Sequence, residues 1–232
     1  MNGVSFDGKH SYDDFGLLLK SRVDVGIPTI KSNTVEIKGG DGIIDLSDVL
    51  TGDVFYNNRK ITCTFTVIDG RDRWTSIYSE LLKFMHGKKM KVILDDDKMF
   101  YYYGRVSVNE WKSSKLTATI VIEIDAEPYK YDLTDTTGLW EWDTFDFENG
   151  FINELKDVTI DGTGTIIIIG RKLKYVPTIT SDAAMTVEFN GSTYNIAVGN
   201  NKIFDIEISE GENVLTFTGN GTVSVSYIGG EL

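Results

Sequence analysis

Residues 61–108 read ITCTFTVIDGRDRWTSIYSELLKFMHGKKMKVILDDDKMFYYYGRVSV, and the hydrophobic period changes along them. Ile61, Cys63, Phe65 and Val67 alternate with Thr62, Thr64 and Thr66, a period of two rich in β-forming residues. Then Trp74, Ile77, Tyr78, Leu81, Leu82 and Met85 recur at helical spacing, one apolar stripe on an α-helix. Asp72 is the expected N-cap, and Gly87 the glycine that ends the helix. Met90, Val92 and Leu94 return to strand period; residues 95–98, DDDK, turn the chain into a further strand through Tyr101, Tyr103, Val106 and Val108. Strands flanking one helix predict a β-sandwich carrying a single α-helix.

Outward from that stretch the pattern stays β. Leu116, Ala118, Ile120, Ile122 and Ile124 alternate. Two Asn-Gly pairs, Asn190-Gly191 and Asn220-Gly221, lie between β-rich runs and predict two hairpins. The glycine-rich pieces at 39–42 (GGDG) and 161–164 (DGTG) match neither a dinucleotide fingerprint nor a P-loop and read as turns. The expected class is therefore mainly β: an N-terminal β-sandwich with one helix over residues 1–133, then a second β-sandwich or jelly roll over 134–232. Charge marks the same seam. The 232 residues hold 23 basic and 35 acidic side chains, net −12, of which residues 1–133 carry −2 and residues 134–232 carry −10.

Composition narrows the function classes. An acidic excess repels phosphate and argues against generic nucleic-acid binding. The longest purely aliphatic run, residues 166–169, is far short of the ~20 a membrane helix needs. The N-terminal residues lack the basic start and apolar stretch of a signal peptide, so cytoplasmic synthesis without membrane insertion is expected. Cys63 is the sole cysteine, and His10 and His86 the sole histidines. Neither histidine lies in a catalytic motif; His10 reads as a polar-loop residue without an evident partner, and His86 as one facing the helix dipole or solvated at the helix end. Cys63 alternates with core positions and reads as packing. No cofactor, metal or enzymatic activity is expected.

Three features invite chemistry. In the stretch LWEWDTFDFENG, residues 139–150, Glu141 and Asp143 share a strand face at a spacing a glycosidase could use. An amphipathic strand with its acids in water is the plainer reading. Trp140 and Trp142 could stack a sugar, though large aromatics more often pack in a core or between domains. Asp95, Asp96 and Asp97 lack the spacing and glycine of a calcium loop and read as a solvated turn. Tyr101, Tyr102 and Tyr103 are different, because successive strand residues point to opposite faces. Rings on both faces imply that something covers both, which makes these tyrosines candidates for packing or for a protomer interface.

Residues 74–131 resemble the distal tail protein (Dit) family of long-tailed bacteriophages. The helix with Trp74 and Leu81 is followed by GKKMKV (87–92), DDDKMFYYYGRVSV (95–108) and EIDAEPYKY (123–131). VSFDGKHSYDDFGLLL (4–19), GDVFYNNRKITCTF (52–65), VPTI (176–179) and the closing GTVSVSYIGGEL (221–232) are similar to that family as well. The resemblance implies a structural virion protein at the tail tip. Its C-terminal domain, residues 134–232, would be a galectin-like β-sandwich, and its N-terminal domains would form a homohexameric ring joining the tail tube protein to the tail-tip or baseplate hub proteins. Genome and tape-measure protein would pass the open channel without specific binding, past a mildly acidic lumen, and assembly would occur in the bacterial cytoplasm. The second module, about 100 residues, leaves no room for the inserted carbohydrate-binding domains of longer relatives. The alternative is a carbohydrate-binding adhesion protein using the C-terminal sandwich through Trp140 or Trp142.

Overall fold

The computed structural model describes residues 2–49, 52–114, 117–133 and 155–232. The chain forms two compact units, Met1–Lys130 and Tyr131–Leu232, each with its own apolar core. It is mainly β, with antiparallel sheets and, among the described residues, one α-helix, as expected of a β-sandwich with a helix.

The first unit contains β1 (Val4–Phe6), β2 (Lys9–His10), β3 (Leu17–Leu19), β4 (Asp24–Val25), β5 (Thr34–Glu36), β6 (Ile43–Asp45) and β7 (Arg59–Val67). After these come α1 (Trp74–Met85), β8 (Lys89–Leu94), β9 (Phe100–Ser113) and β10 (Ala118–Ala126), with β11 (Lys130–Asp132) at the junction. The strand order is β2–β1–β8–β9–β10–β7–β3, with β4 also on β7. The alternation read from the sequence sets the faces. Ile61, Cys63 and Phe65 of β7 and Ile120, Ile122 and Ile124 of β10 are fully buried, while the threonines between the β7 residues point away. Ile61 pairs with Ile124 and Phe65 with Ile120, so two apolar rows meet in register. Fully burying one such side chain is worth about 1.5–3 kcal/mol.

Helix α1 buries Trp74, Ile77, Leu81 and Met85 in that core, with Tyr78 and Leu82 packed beside them. Its start differs from expectation. A 3-10 turn, Arg71–Arg73, runs straight into the helix, so the cap position is Arg73 with helical backbone, and no side chain caps it. Asp72 lies inside that turn, where no extended residue remains to present a capping oxygen. The other end is as read: His86 is the C-cap, and Gly87 follows at φ +78°, which a glycine takes without a Cβ clash.

The second unit contains β12 (Val158–Gly170), β13 (Thr178–Ser181), β14 (Met185–Phe189), β15 (Ser192–Ile196), β16 (Gly199–Asn201), β17 (Gly211–Ser226) and β18 (Gly230–Glu231). Asn190 and Gly191 form the predicted hairpin between β14 and β15, both with positive φ (+48° and +76°), as a type I′ turn needs. Asn220-Gly221 is not a turn: it lies inside β17, which pairs continuously with β12 from Val158↔Val223 to Gly170↔Gly211. The 161–164 glycine segment, read as a turn, is likewise inside β12, whereas residues 39–42 do link β5 to β6. On its other side β17 pairs with two strands in turn, β14 through residues 216–218 and β13 through residues 223–226. The glycines lie where that change occurs. A Cβ at Gly219 would stand 2.5 Å from Met185 Cβ, and one at Gly221 would stand 2.5 Å from Asp182 Oδ1. Gly162 N–H donates to Asn220 Oδ1 at 2.9 Å, so the amide that signals a turn in sequence here ties two strands together.

Two glycine substitutions separate these roles. Gly191→Ala meets no atom within 4 Å, so it should cost only its left-handed backbone, about 1 kcal/mol. Gly219→Ala carries positive φ (+151°) and the Met185 overlap, and should lose about 2 kcal/mol more. Urea unfolding of both variants measures the gap, and equal midpoints would show that the Met185 approach relaxes freely.

Candidate interaction surfaces

Strand period distributes the side chains of β8 and β9. Met90, Val92 and Leu94 face the core, and Lys89 and Lys91 face out. In β9, Tyr102 and Val106 face in, and Tyr101, Tyr103 and Arg105 face out. The tyrosine triplet is thus divided: Tyr102 is 5% exposed, Tyr103 is 37% exposed, and Tyr101 is half-buried. Register brings Lys91 opposite Tyr103 and Lys89 opposite Arg105. Lys91 Nζ lies 4.1 Å from the centroid of the Tyr101 ring and Lys89 Nζ 5.6 Å from that of Tyr103, both within cation–π range. The outward face of β8 and β9 is therefore aromatic and cationic, bordered by Glu127, whose carboxylate lies 3.6 Å from Lys89.

Behind Tyr102 lies a residue the sequence reading missed. Arg59, 6% exposed, places its guanidinium 5.6 Å from the Tyr102 ring. Burial pushes the Arg59 pKa down, and burial pushes that of the Tyr102 phenol up. The signal was its parity, since Arg59 shares the core-facing register of Ile61 and Cys63. Nearby, Lys130 pairs with Asp97 at 2.9 Å and lies 3.9 Å from the Phe100 ring centroid.

The aspartate triplet is more than a solvated turn. Asp95 Oδ2 accepts the Gly3 N–H at 2.7 Å and lies 3.1 Å from His10 Nε2; Asp96 bonds Asn2; Asp97 holds Lys130. Asp95 and Asp96 tie the β8–β9 turn to the N-terminal segment, and Asp97 ties it to Lys130. His10, expected to lack a partner, stands between Asp95 and Asp13, whose Oδ2 is 3.0 Å from His10 Nδ1. His86 Nδ1 accepts the Val108 N–H at 3.1 Å instead of facing the helix carbonyls. Both imidazoles thus hold backbone segments in place. Cys63 is fully buried, and burial pushes its thiol up to about 12. Among the described residues no cluster of His, Cys, Asp and Glu is arranged to hold a metal ion, and no helix is long and apolar enough to cross a membrane. Trp140, Glu141, Trp142 and Asp143 lie outside the described residues.

In the second unit, Arg171 clasps two carboxylates. Its Nη1 is 2.8 Å from Asp132 Oδ1 and 3.0 Å from Glu231 Oε1, while the Asp132 N–H donates to the Gly229 carbonyl. Neither partner is close to the other in sequence, so nothing in the linear pattern announced the cluster.

These parts define a β-rich protein whose most distinctive described surface is aromatic and cationic. No protein-family model matches the sequence, and no curated protein matches it. Among solved structures it is similar to the Dit protein (gp 19.1) of phage SPP1, described as a paradigm of the hub adsorption apparatus in phages infecting Gram-positive bacteria. That similarity covers 100% of both chains with a TM-score of 0.63 at 14% sequence identity. The two chains share a fold from end to end, the one expected from the motifs at 4–19, 87–108 and 221–232.

The clasp yields a pH prediction. Burial, outweighing the pull of Arg171, holds the Asp132 carboxyl above its ordinary value. Its stabilising contribution is therefore complete below the unfolded value near ~3.9 and is lost as pH rises through the folded value. Asp132→Asn stays neutral and keeps Glu231 as the Arg171 partner. Its stability relative to wild type should climb as pH is raised from about 4, followed by denaturation midpoints. A difference that stays flat with pH would remove Asp132 as the titrating group.

Proposed function

We propose that this chain is a distal tail protein of a long-tailed bacteriophage, a structural virion component of the tail tip. The observation that carries the reading is the shared fold along 100% of both chains with SPP1 Dit, reached independently of the motif resemblance. In this reading residues 1–133 are the ring-forming domain and residues 134–232 a galectin-like domain. Six copies form a ring that joins the tail tube protein to the tail-tip hub proteins. Its channel passes the genome and the tape-measure protein without specific binding, and assembly takes place in the bacterial cytoplasm. Side chains committed to holding the fold, rather than to a nucleophile and its base, support a scaffold over a catalyst. The outward tyrosines Tyr101 and Tyr103 support protomer contact through the first unit.

The test is the mass of the purified chain by light scattering, with negative-stain images of the same fraction. Six chains of 26.0 kDa give about 156 kDa, and the expected species is a ring with a central hole. A species of 26.0 kDa that fails to form rings even with its tail tube partner present would overturn the hexameric reading.

A further inference from the structure

Half of the exposed large apolar side chains among the described residues, nine of eighteen, fall within residues 27–55, about an eighth of the chain. These residues form an arm. Its base is held by the Ile30↔Tyr56 bridge and by Lys31 N–H to the Phe55 carbonyl at 2.8 Å. Beyond the base, β5 and β6 pair only with each other, and all six of their residues are exposed. Eight residues from 31 to 38 at strand rise reach about 25 Å.

The arm has two unlike faces. Val35 is opposite Ile44, and Ile37 shares their parity, giving an apolar stripe; Thr34 opposite Asp45 and Glu36 opposite Ile43 form the other face. Val35, Ile37 and Ile44 are 47%, 50% and 45% exposed. An isolated two-stranded hairpin is marginal in water and needs a third strand or a packed face. Among the described residues no third strand pairs with it, and both its faces are exposed. Residues 27–58 also carry five acids against two lysines, a net −3 inside a module whose total is only −2.

The same unit displays the complement: the Tyr101 and Tyr103 rings with Lys89, Lys91 and Arg105 around them on the outward face of β8 and β9. We propose that the arm of one copy lays its Val35–Ile37–Ile44 stripe on this aromatic–cationic face of the next copy, with Asp41 of the turn between β5 and β6 set against its lysines. The contact is heterologous, arm to face, so repetition around an axis closes a ring instead of stopping at a dimer. It rests on the ring reading above and identifies which surfaces meet.

The test uses the full chain and follows its assembly by light scattering across a dilution series, with circular dichroism confirming the fold. Val35→Thr with Ile44→Thr keeps strand propensity and removes the stripe. Asp41→Lys reverses the charge of the arm's turn, and Lys89→Glu with Lys91→Glu reverses the face. Each of these variants should weaken assembly by about tenfold or more, and combining both charge reversals should restore part of the loss. Arm variants that assemble like wild type, or a combined reversal no better than either alone, would overturn the arm-to-face contact while leaving the ring intact. A wild-type chain that remains single at every concentration would overturn the arm contact and count against the ring as well.

Discussion

The outward chemistry of the first unit depends on the register of β9 between β8 and β10. In an antiparallel sheet with one buried face, a one-residue slip exchanges every core side chain for an outer one. Here the slip is blocked on both sides: Val92 pairs with Tyr102, and Ile124 with Val106, each an inward pair. The register changes once, between Val121 and Ile122, where Asn109 is left out of the pairing; beside it the Val108 N–H turns to His86. Past the irregularity the far end of β9 is mostly exposed, and its near end carries the tyrosines. Tyr102 enters the core, and Tyr101 and Tyr103 leave it, because this register permits no other arrangement.

Much of this was legible in the sequence where one physical cause acts alone. Period two fixed β7 and β10, helical spacing fixed the buried face of α1, and Asn190-Gly191 fixed a hairpin, since its two positive-φ residues have no other role there. Asn220-Gly221 carries the same dipeptide and was misread. Its glycine serves a close approach by residues 182–183, and its asparagine serves a cross-strand hydrogen bond. A dipeptide reports the backbone freedom of its residues, not what the fold does with that freedom. Tertiary neighbours decide between turn and bend, and those come from β12 and from the β13–β14 link, tens of residues away.

The candidate surfaces were half legible for a related reason. The tyrosine triplet was found by composition and divided by parity, both local properties. Arg59 was missed although its parity matched the core, because a charged residue is read as exposed until a ring is seen over it. The aspartate triplet and His10 found partners 33 to 94 positions away, and no window of sequence contains such pairs. Of the arm, only the turn at residues 39–42 was legible, because an apolar residue reads the same in sequence whether it is buried or exposed. What distinguishes it is the absence of a covering layer, which only a three-dimensional arrangement reveals.

Charge placement bears on which part of the chain can bring copies together. Residues 134–232 carry −10, and surfaces of that charge repel one another over roughly a Debye length, ~8 Å at physiological salt. Packing second units against each other around an axis would set that repulsion against whatever apolar contact they make. Residues 1–133 total −2, and within them residues 27–58 carry a net −3 while Lys89, Lys91 and Arg105 share the outward face of β8 and β9. A near-neutral surface with its two signs separated attracts a copy of itself in one orientation and repels it in others. Electrostatics thus favours the first unit over the second as the place where copies of this chain would meet. The acidic second unit is the part best suited to stay apart from its own copies and to remain in solvent or meet a different partner.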